Sequence, residues 1–170
     1  MPAYVALVRG ANVLGSGKLP MAELKAICER AGFKSVRTWI ASGNVVFHSR
    51  KSAATIKATL ETALTRYAGR PFSVHIRTAA EMTTVLQRNP FKQRPGSLTV
   101  AFFLDGPPPA DALEAVTNRK AEQLRLGQRE IYVYYAAGFA DSRITIRAAK
   151  NGTARNMNTI AKLVEMAASL

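Results

Sequence analysis

The stretch "SVRTWIASGNVVFHS", residues 35–49, decides the fold, because it holds two apolar runs separated by a Ser-Gly-Asn turn. Two such runs around a glycine predict a β-hairpin at Gly43. Before the hairpin, "YVALVR" (4–9) predicts a strand. Pro20 then opens a helix over "MAELKAICERAG", and Gly32 ends that helix. The hairpin is therefore preceded by a strand and a helix.

The residues after the hairpin supply a matching helix and strand. Ser52 is placed to cap a helix that ends at Gly69, and "FSVHIRT" (72–78) predicts a further strand. The resulting order is β-α-β-β-α-β, which is the split βαβ arrangement of ferredoxin-like domains. Residues 1–77 are thus predicted to form one ferredoxin-like subdomain.

The remaining sequence, residues 78–170, repeats this rhythm less regularly. It begins with a predicted helix that has a capping box at Thr78 and Glu81, followed by a strand at 97–104. A helix over Ala110–Arg119, a hairpin around Gly127 and a helix from about Thr153 are predicted after that strand. No low-complexity linker separates the halves, which favours packing of one against the other. The predicted fold class is α+β, with two ferredoxin-like subdomains (1–77 and 78–170) packed together and a C-terminal helix.

Composition limits the compartment and the partners. The chain has 24 Lys and Arg against 11 Asp and Glu, a formal net charge of +13, which favours an anionic partner. No run of about 18 apolar residues predicts a membrane span, and the N-terminus has no secretory signal pattern. The lone Cys28 cannot form an intramolecular disulfide. A cytoplasmic protein without membrane contact is therefore predicted.

The loop in "LVRGANVLGSGKLPM", residues 7–21, has the strand, glycines, lysine and helix of many phosphate-binding loops. A Walker A loop would need glycine where Asn12 stands and a hydroxyl residue where Leu19 stands. A dinucleotide fingerprint fails because Pro20 takes the place of its third glycine. Both motifs are rejected, and the loop is a candidate anion site without either pattern.

Two further polar stretches join this loop in the leading hypothesis. They are the Ser-Gly-Asn turn at 42–44 and a helix start predicted over 153–158, where Arg155 near the positive end of the helix dipole favours an anion. If the three segments converge, they form a pocket for a small ligand that carries phosphate or carboxylate. Its predicted ligand-binding residues are Arg9, Asn12, Lys18, Ser42, Asn44, Arg155, Asn156 and Asn158. The alternative is an internal polar latch between the halves, with no ligand.

A second hypothesis makes the protein a nucleic-acid-binding module. Ferredoxin-like sheets can stack bases on exposed aromatic residues, although the chain lacks the RNP1 pattern. The residues predicted for this role are Arg37, Trp39, Arg125, Arg129, Tyr132 and Tyr134. The sheets of the two halves could instead bury these aromatic residues against each other.

No reaction is indicated by the sequence. His48 and His75 lie in predicted strands without a Cys, Asp or Glu at metal-ligand spacing, so no metal site is predicted. No G-x-S-x-G elbow or paired acid and base is evident. Whether the protein is an enzyme, and which cofactor it would use, both stay open.

Three stretches together resemble one family: "LVRGANVLGSGKLPMAELK", "VRTWIASGNVVF" and "GTARNMNTIAKLVEMA". In order and spacing the chain is similar to the domain of unknown function family DUF1697. Met157 stands where the family pattern has tryptophan. The resemblance implies two ferredoxin-like α+β subdomains and implies no particular activity.

Overall fold

The computed structural model describes residues 1–12 and 18–170, and in them eight strands form two four-stranded antiparallel sheets. The strands are β1 Ala3–Val8, β2 Lys34–Trp39, β3 Asn44–His48, β4 Val74–Thr78, β5 Thr99–Phe103, β6 Glu122–Leu126, β7 Glu130–Tyr135 and β8 Thr153–Asn156. The α-helices are α1 Met21–Arg30, α2 Ala53–Ala68, α3 Ala79–Gln87 and α4 Met157–Ala168. Two compact units result: unit 1 comprises Met1–Thr83 and Lys162–Leu170, and unit 2 comprises Thr84–Ala161.

Unit 1 has the predicted ferredoxin-like topology. Its strands lie in the order β2-β3-β1-β4, and each neighbouring pair is antiparallel. The helices α1 and α2 are the two crossovers of the β-α-β-β-α-β chain. The prediction made from residues 35–49 and their flanks is confirmed.

Local signals set the ends of the helices in unit 1. The Ser52 hydroxyl accepts a hydrogen bond from the Thr55 backbone N–H, which caps the start of α2. Gly69 ends α2 in the left-handed conformation at φ 70°, which glycine adopts without strain. Pro20 precedes α1 in an extended conformation.

The core of unit 1 lies between one face of its sheet and the two helices. Leu24 and Ile27 of α1 and Leu60 of α2 are buried there. The rings of Phe33 and Phe47 stack at 4.4 Å between centroids. Phe47 is thus a core residue, fully shielded from solvent.

Unit 2 repeats the sheet order with different crossovers. Its strands lie in the order β6-β7-β5-β8, which is the order of unit 1 with each strand replaced by its counterpart. A short 3-10 turn, Arg147–Ala149, lies between β7 and β8 in place of a second helix. The α+β class with two ferredoxin-like sheets is confirmed.

The predicted helix over Ala110–Arg119 is wrong. The segment forms turns closed by i to i−3 hydrogen bonds, such as Ala112 N–H to the Pro109 carbonyl at 3.0 Å. Thr117 then pairs with Thr145 in an isolated bridge. Three prolines directly before the segment and this pairing at its end override the local helical propensity.

The predicted helix start at Thr153 is also wrong. Thr153–Asn156 is strand β8, which pairs with β5 from Phe103 to Val100, and α4 begins at Met157. Asn156 is the residue that caps α4, because its side-chain oxygen accepts from the Thr159 N–H at 2.9 Å. The first four residues of the predicted helix therefore form a strand, because they pair with a strand that is distant in sequence.

Among the residues that the structure describes, no helix has both the length and the apolar character needed to cross a membrane.

Candidate functional site

In unit 1 the opening loop and the hairpin turn meet at Asn12. The Asn12 side chain donates to the carbonyl oxygens of Leu19 at 2.9 Å and Ala41 at 2.6 Å, and accepts from the Leu19 N–H at 2.7 Å. Beside this contact, Val8 N–H donates to the Gly43 carbonyl at 2.8 Å. The two sequence stretches are therefore neighbours, and both polar groups of the Asn12 amide make bonds that stabilise the protein itself.

Asn44 and Ser42 also bond within the turn. Asn44 is fully buried at the start of β3, and its side-chain amide donates to the Trp39 carbonyl at 3.0 Å and to the Ser42 hydroxyl at 2.9 Å. These bonds shape the turn from the inside. Asn44 is buried in the turn, away from solvent.

Arg9 and Lys18 are the exposed cations of this loop. The backbone N–H of Arg9 donates to the Ser73 carbonyl at 2.9 Å, which fixes the end of β1. Residues 13–17, with the glycines Gly15 and Gly17, lie outside the described residues.

Arg155 belongs to unit 2, where it lies in β8 and is 7% exposed. Its guanidinium donates to the Thr153 hydroxyl at 2.8 Å and to the Ala154 carbonyl at 2.9 Å. Burial lowers the pKa of the Arg155 guanidinium to about 10. The expected position at a helix N-terminus is corrected, since the strand holds this side chain in a buried environment.

The two asparagines after Arg155 have different environments. Asn156 caps α4, as described above, whereas Asn158 is exposed on the first turn of that helix. A Cβ added to Gly96 would overlap the side-chain oxygen of Asn158, so the backbone at Gly96 approaches this amide closely.

Of the residues predicted to bind nucleic acid, Arg37 and Trp39 lie on β2 of unit 1. Trp39 is 36% exposed, and the Lys162 ammonium lies 5.0 Å from its ring centroid. The Arg37 guanidinium donates to the Ser169 hydroxyl at 3.2 Å. Both side chains therefore contact the C-terminal segment of unit 1.

The other four predicted residues lie in unit 2 and differ in exposure. Tyr132 and Tyr134 are buried on β7, and the Tyr132 hydroxyl donates to the Val85 carbonyl at 2.8 Å. Burial, reinforced by Glu130, raises the pKa of Tyr132 well above its usual range. The Arg129 guanidinium donates to the Asp105 carbonyl, while Arg125 is exposed on β6.

Arg125 lines an open cleft in unit 2 with a volume of about 500 Å³. We call this feature the Arg94–Arg125 cleft. Its lining residues are Asn89, Pro90, Phe91, Lys92, Gln93, Arg94, Gln123 and Arg125. Three of the eight are cations and none is a carboxylate, so the lining has a positive charge.

Two guanidinium groups of the cleft lie against aromatic rings. The Arg94 Cζ is 5.2 Å from the Tyr134 ring centroid, and the Arg125 Cζ is 5.9 Å from the Phe91 centroid. The Phe91 and Tyr134 rings are 5.9 Å apart at an interplanar angle of 38°. These are cation–π distances, and they give both arginines a fixed apolar support.

Two local hydrogen bonds hold the base of the cleft. The Asn89 side chain accepts from the Phe91 N–H at 2.9 Å, and the Arg94 N–H donates to the Phe91 carbonyl at 2.9 Å. In the part of the chain that the structure describes, the side chains of Lys92 and Arg94 make no hydrogen bond or ion pair. The Arg125 guanidinium donates to the Leu124 carbonyl at 2.8 Å.

Sequence reasoning selected Arg125 and Tyr134 but missed Phe91, Lys92 and Arg94. The available signal was "PFKQRP", residues 90–95, in which one aromatic residue and two cations lie within four residues between two prolines. Aromatic residues combined with nearby cations are typical of surfaces that bind single-stranded nucleic acid. The described residues contain no group of three or more His, Cys, Asp or Glu side chains that could hold a metal ion.

The family model described as "Protein of unknown function (DUF1697)" matches residues 1–132. The chain belongs to this family. The DUF1697 match includes every residue of the Arg94–Arg125 cleft and ends before β8.

One solved structure extends the comparison to the whole fold. The conserved bacterial protein SP0830 from Streptococcus pneumoniae is 24% identical, with a TM-score of 0.79, and the match covers 98% of each chain. At this identity the likeness bears on the fold alone. None of the curated proteins compared matches this DUF1697 chain.

Proposed function

We propose that the Arg94–Arg125 cleft binds single-stranded nucleic acid. The observation that carries the proposal is the pair of guanidinium groups held over Tyr134 and Phe91 in one cleft without a lining carboxylate. Guanidinium planes and aromatic rings stack on any base, and guanidinium N–H groups donate to phosphate oxygens. The same few side chains can therefore contact both parts of a nucleotide.

The dimensions of the cleft favour a single strand. A volume of about 500 Å³ lies in the range of small-ligand sites and accommodates one or two nucleotides. Because Tyr134 and Phe91 are 8% and 7% exposed, bases would stack on the guanidinium groups of Arg94 and Arg125 that lie near these rings. The bases of a duplex are already stacked on one another, so a duplex would contact the cleft only through its phosphates.

The test is fluorescence anisotropy of labelled single-stranded RNA and DNA of about 12 nucleotides, measured at several salt concentrations. The variant combines Arg94→Gln with Arg125→Gln. We expect a loss of affinity of at least about a hundredfold, because two charged hydrogen bonds are lost and each contributes about 1.5–3 kcal/mol. A plot of the logarithm of the association constant against the logarithm of the salt concentration has a negative slope. This slope should become shallower by about 1.4 when two phosphate contacts are lost.

The matched control combines Arg50→Gln with Arg143→Gln, which removes the same charge from exposed positions outside the cleft. An equal loss of affinity in both double variants would show that net charge, rather than the cleft, binds the oligonucleotide. Binding of inorganic phosphate or a mononucleotide with the affinity of the 12-mer would reassign the cleft to a small anion. No binding to any probe at low salt would overturn the proposal.

A small anion at the opening loop of unit 1 is the second candidate. The Asn12 side chain bonds to Leu19 across this loop. The exposed cation Arg9 lies three residues before Asn12, and the exposed cation Lys18 directly precedes Leu19. Lys18→Gln should weaken phosphate binding at this loop and leave oligonucleotide binding at the cleft unchanged. Calorimetric titration with inorganic phosphate measures the effect.

A further inference from the structure

A second cavity lies in unit 1, on the helices rather than on the cleft proposed for nucleic acid. It is a groove of about 430 Å³ between α1 and α2, which we call the α1–α2 groove. This volume falls within the range of sites that bind small organic molecules. The groove shares no residue with the Arg94–Arg125 cleft, so its role is independent of the proposed function.

Apart from the half-buried Thr59, the floor of the groove is apolar. Ile27 is 3% exposed, and the partly buried Ala31 and Ala63 pack against the same core. The two alanines have short side chains, and the groove lies over them. Tyr67 lines the groove with a side chain that is 45% exposed. A ligand with an apolar body would remove the exposed surface of Ala31, Ala63 and Tyr67 from water.

The rim of the groove is cationic. Arg66 and Arg30 both line it, and no lining residue is a carboxylate. Arg30 donates to Glu23 at 2.9 Å, so its charge is already paired. Within residues 1–12 and 18–170, the Arg66 guanidinium and the Tyr67 hydroxyl make no hydrogen bond. Arg66 is thus the cation available to an incoming anion.

We propose that the α1–α2 groove binds an amphipathic monocarboxylate, a molecule with one carboxylate on an alkyl or aryl body. The carboxylate accepts hydrogen bonds from Arg66, and the apolar body covers Ile27, Ala31 and Ala63. A phosphate ion would leave this apolar floor exposed to water. A neutral hydrocarbon would gain nothing from the charge of the exposed Arg66. A ligand with both a carboxylate and an apolar body matches the cationic rim and the apolar floor of the groove.

The test is titration calorimetry and backbone-amide NMR with octanoate and phenylacetate. Octylamine, of similar size and opposite charge, is the ligand control. We expect saturable binding of the carboxylates with amide shifts at Ala31 and Ala63, and weaker binding of octylamine by about tenfold or more. Arg66→Gln should lower the affinity for octanoate by about tenfold, because this substitution removes a charged hydrogen bond.

Two variants distinguish octanoate binding in the groove from non-specific binding elsewhere on the surface. Arg50→Gln, which removes an exposed charge outside the groove, should leave octanoate binding unchanged. Ala63→Leu should fill the floor and prevent binding, and unfolding curves would verify that this variant is folded. Equal binding of octylamine, or octanoate binding insensitive to Arg66→Gln, would overturn the proposal. An acidic amphipathic peptide that displaces octanoate at lower concentration would reassign the groove to a protein partner.

Discussion

The side-chain amide of Asn12 donates to the carbonyl oxygen of Ala41 at 2.6 Å, across 29 residues of sequence. The same amide group also donates to Leu19, and its oxygen accepts from the Leu19 N–H. One side chain therefore fixes both ends of the opening loop against the hairpin turn. Asn12 adopts φ 57°, a left-handed conformation that asparagine tolerates better than most residues.

Asn12→Ala should lower the free energy of unfolding by about 1–2 kcal/mol, because it removes three hydrogen bonds and leaves the Ala41 and Leu19 carbonyls without this donor. Urea denaturation measures the change. Asn12→Gly is the informative companion, since glycine accepts the left-handed backbone but supplies no amide. Full stability in Asn12→Gly would mean that backbone conformation, rather than the hydrogen bonds, selects asparagine.

Gly43→Ala should destabilise unit 1 by about 2–4 kcal/mol. Gly43 has φ 88°, and an added Cβ would lie 2.9 Å from the Cβ atoms of Val8 and Ala11. Gly69→Ala is the matched control, because Gly69 has φ 70° and, apart from its chain neighbours, no atom of the described residues lies within 4 Å of an added Cβ. Thermal unfolding should show a loss of about 1 kcal/mol for Gly69→Ala, and the excess for Gly43→Ala measures the steric overlap. Equal losses would contradict the close approach at Gly43.

The fold of unit 1 could be predicted because its signals are local. Ser52 and Gly69 end a helix through bonds to residues three or four positions away, and the hairpin at Gly43 joins strands adjacent in sequence. Such interactions leave a pattern in a short window of sequence. The two ends of α2 were predicted to within one residue for this reason.

Unit 2 was harder to predict because distant pairing decides its elements. Thr153–Asn156 becomes a strand by pairing with β5, about fifty residues earlier, and its own sequence has no strand signal. The Arg94–Arg125 cleft was hard to predict from the sequence for the same reason. Arg94 and Phe91 follow α3, whereas Arg125 lies on β6, and only the folded sheet brings them together. The predicted roles of Asn12 and Asn44 illustrate a related limit, since a sequence does not tell whether an amide bonds to a ligand or to its own backbone.

Cys28 should be inert in the native protein. It is fully buried in α1, and burial, reinforced by Glu29, raises the pKa of its thiol to about 12. At pH 8 the reactive thiolate is therefore far rarer in the native protein than in the unfolded chain. Labelling with a thiol-reactive disulfide reagent should be at least about a thousandfold slower in the native protein than in guanidinium chloride. Rapid labelling without denaturant would contradict the burial of this side chain.

Glu122 should make the stability of unit 2 depend on acid pH. Its carboxylate accepts from the Lys120 N–H at 2.7 Å and from the Ser142 hydroxyl at 2.9 Å. The bond from Lys120, with a smaller contribution from Ser142, lowers the pKa of Glu122 below the ordinary value of 4.5 in spite of burial. Because these bonds favour the ionised form, the native state binds fewer protons than the unfolded state in this pH range. The stabilisation is complete above pH 4.5 and is lost as the pH falls through the lowered pKa.

Glu122→Gln removes the titrating group at nearly constant shape, so the variant should lack this part of the acid dependence. The difference in unfolding free energy between wild type and Glu122→Gln should be largest near neutral pH and shrink steadily as the pH falls below 4.5. Glu114→Gln, at an exposed carboxylate, controls for the loss of one negative charge. Ser142→Ala should reduce the same acid dependence only in part, since the stronger bond from Lys120 remains. A difference that stays constant with pH would mean that the ionised Glu122 carboxylate does not accept these hydrogen bonds in solution.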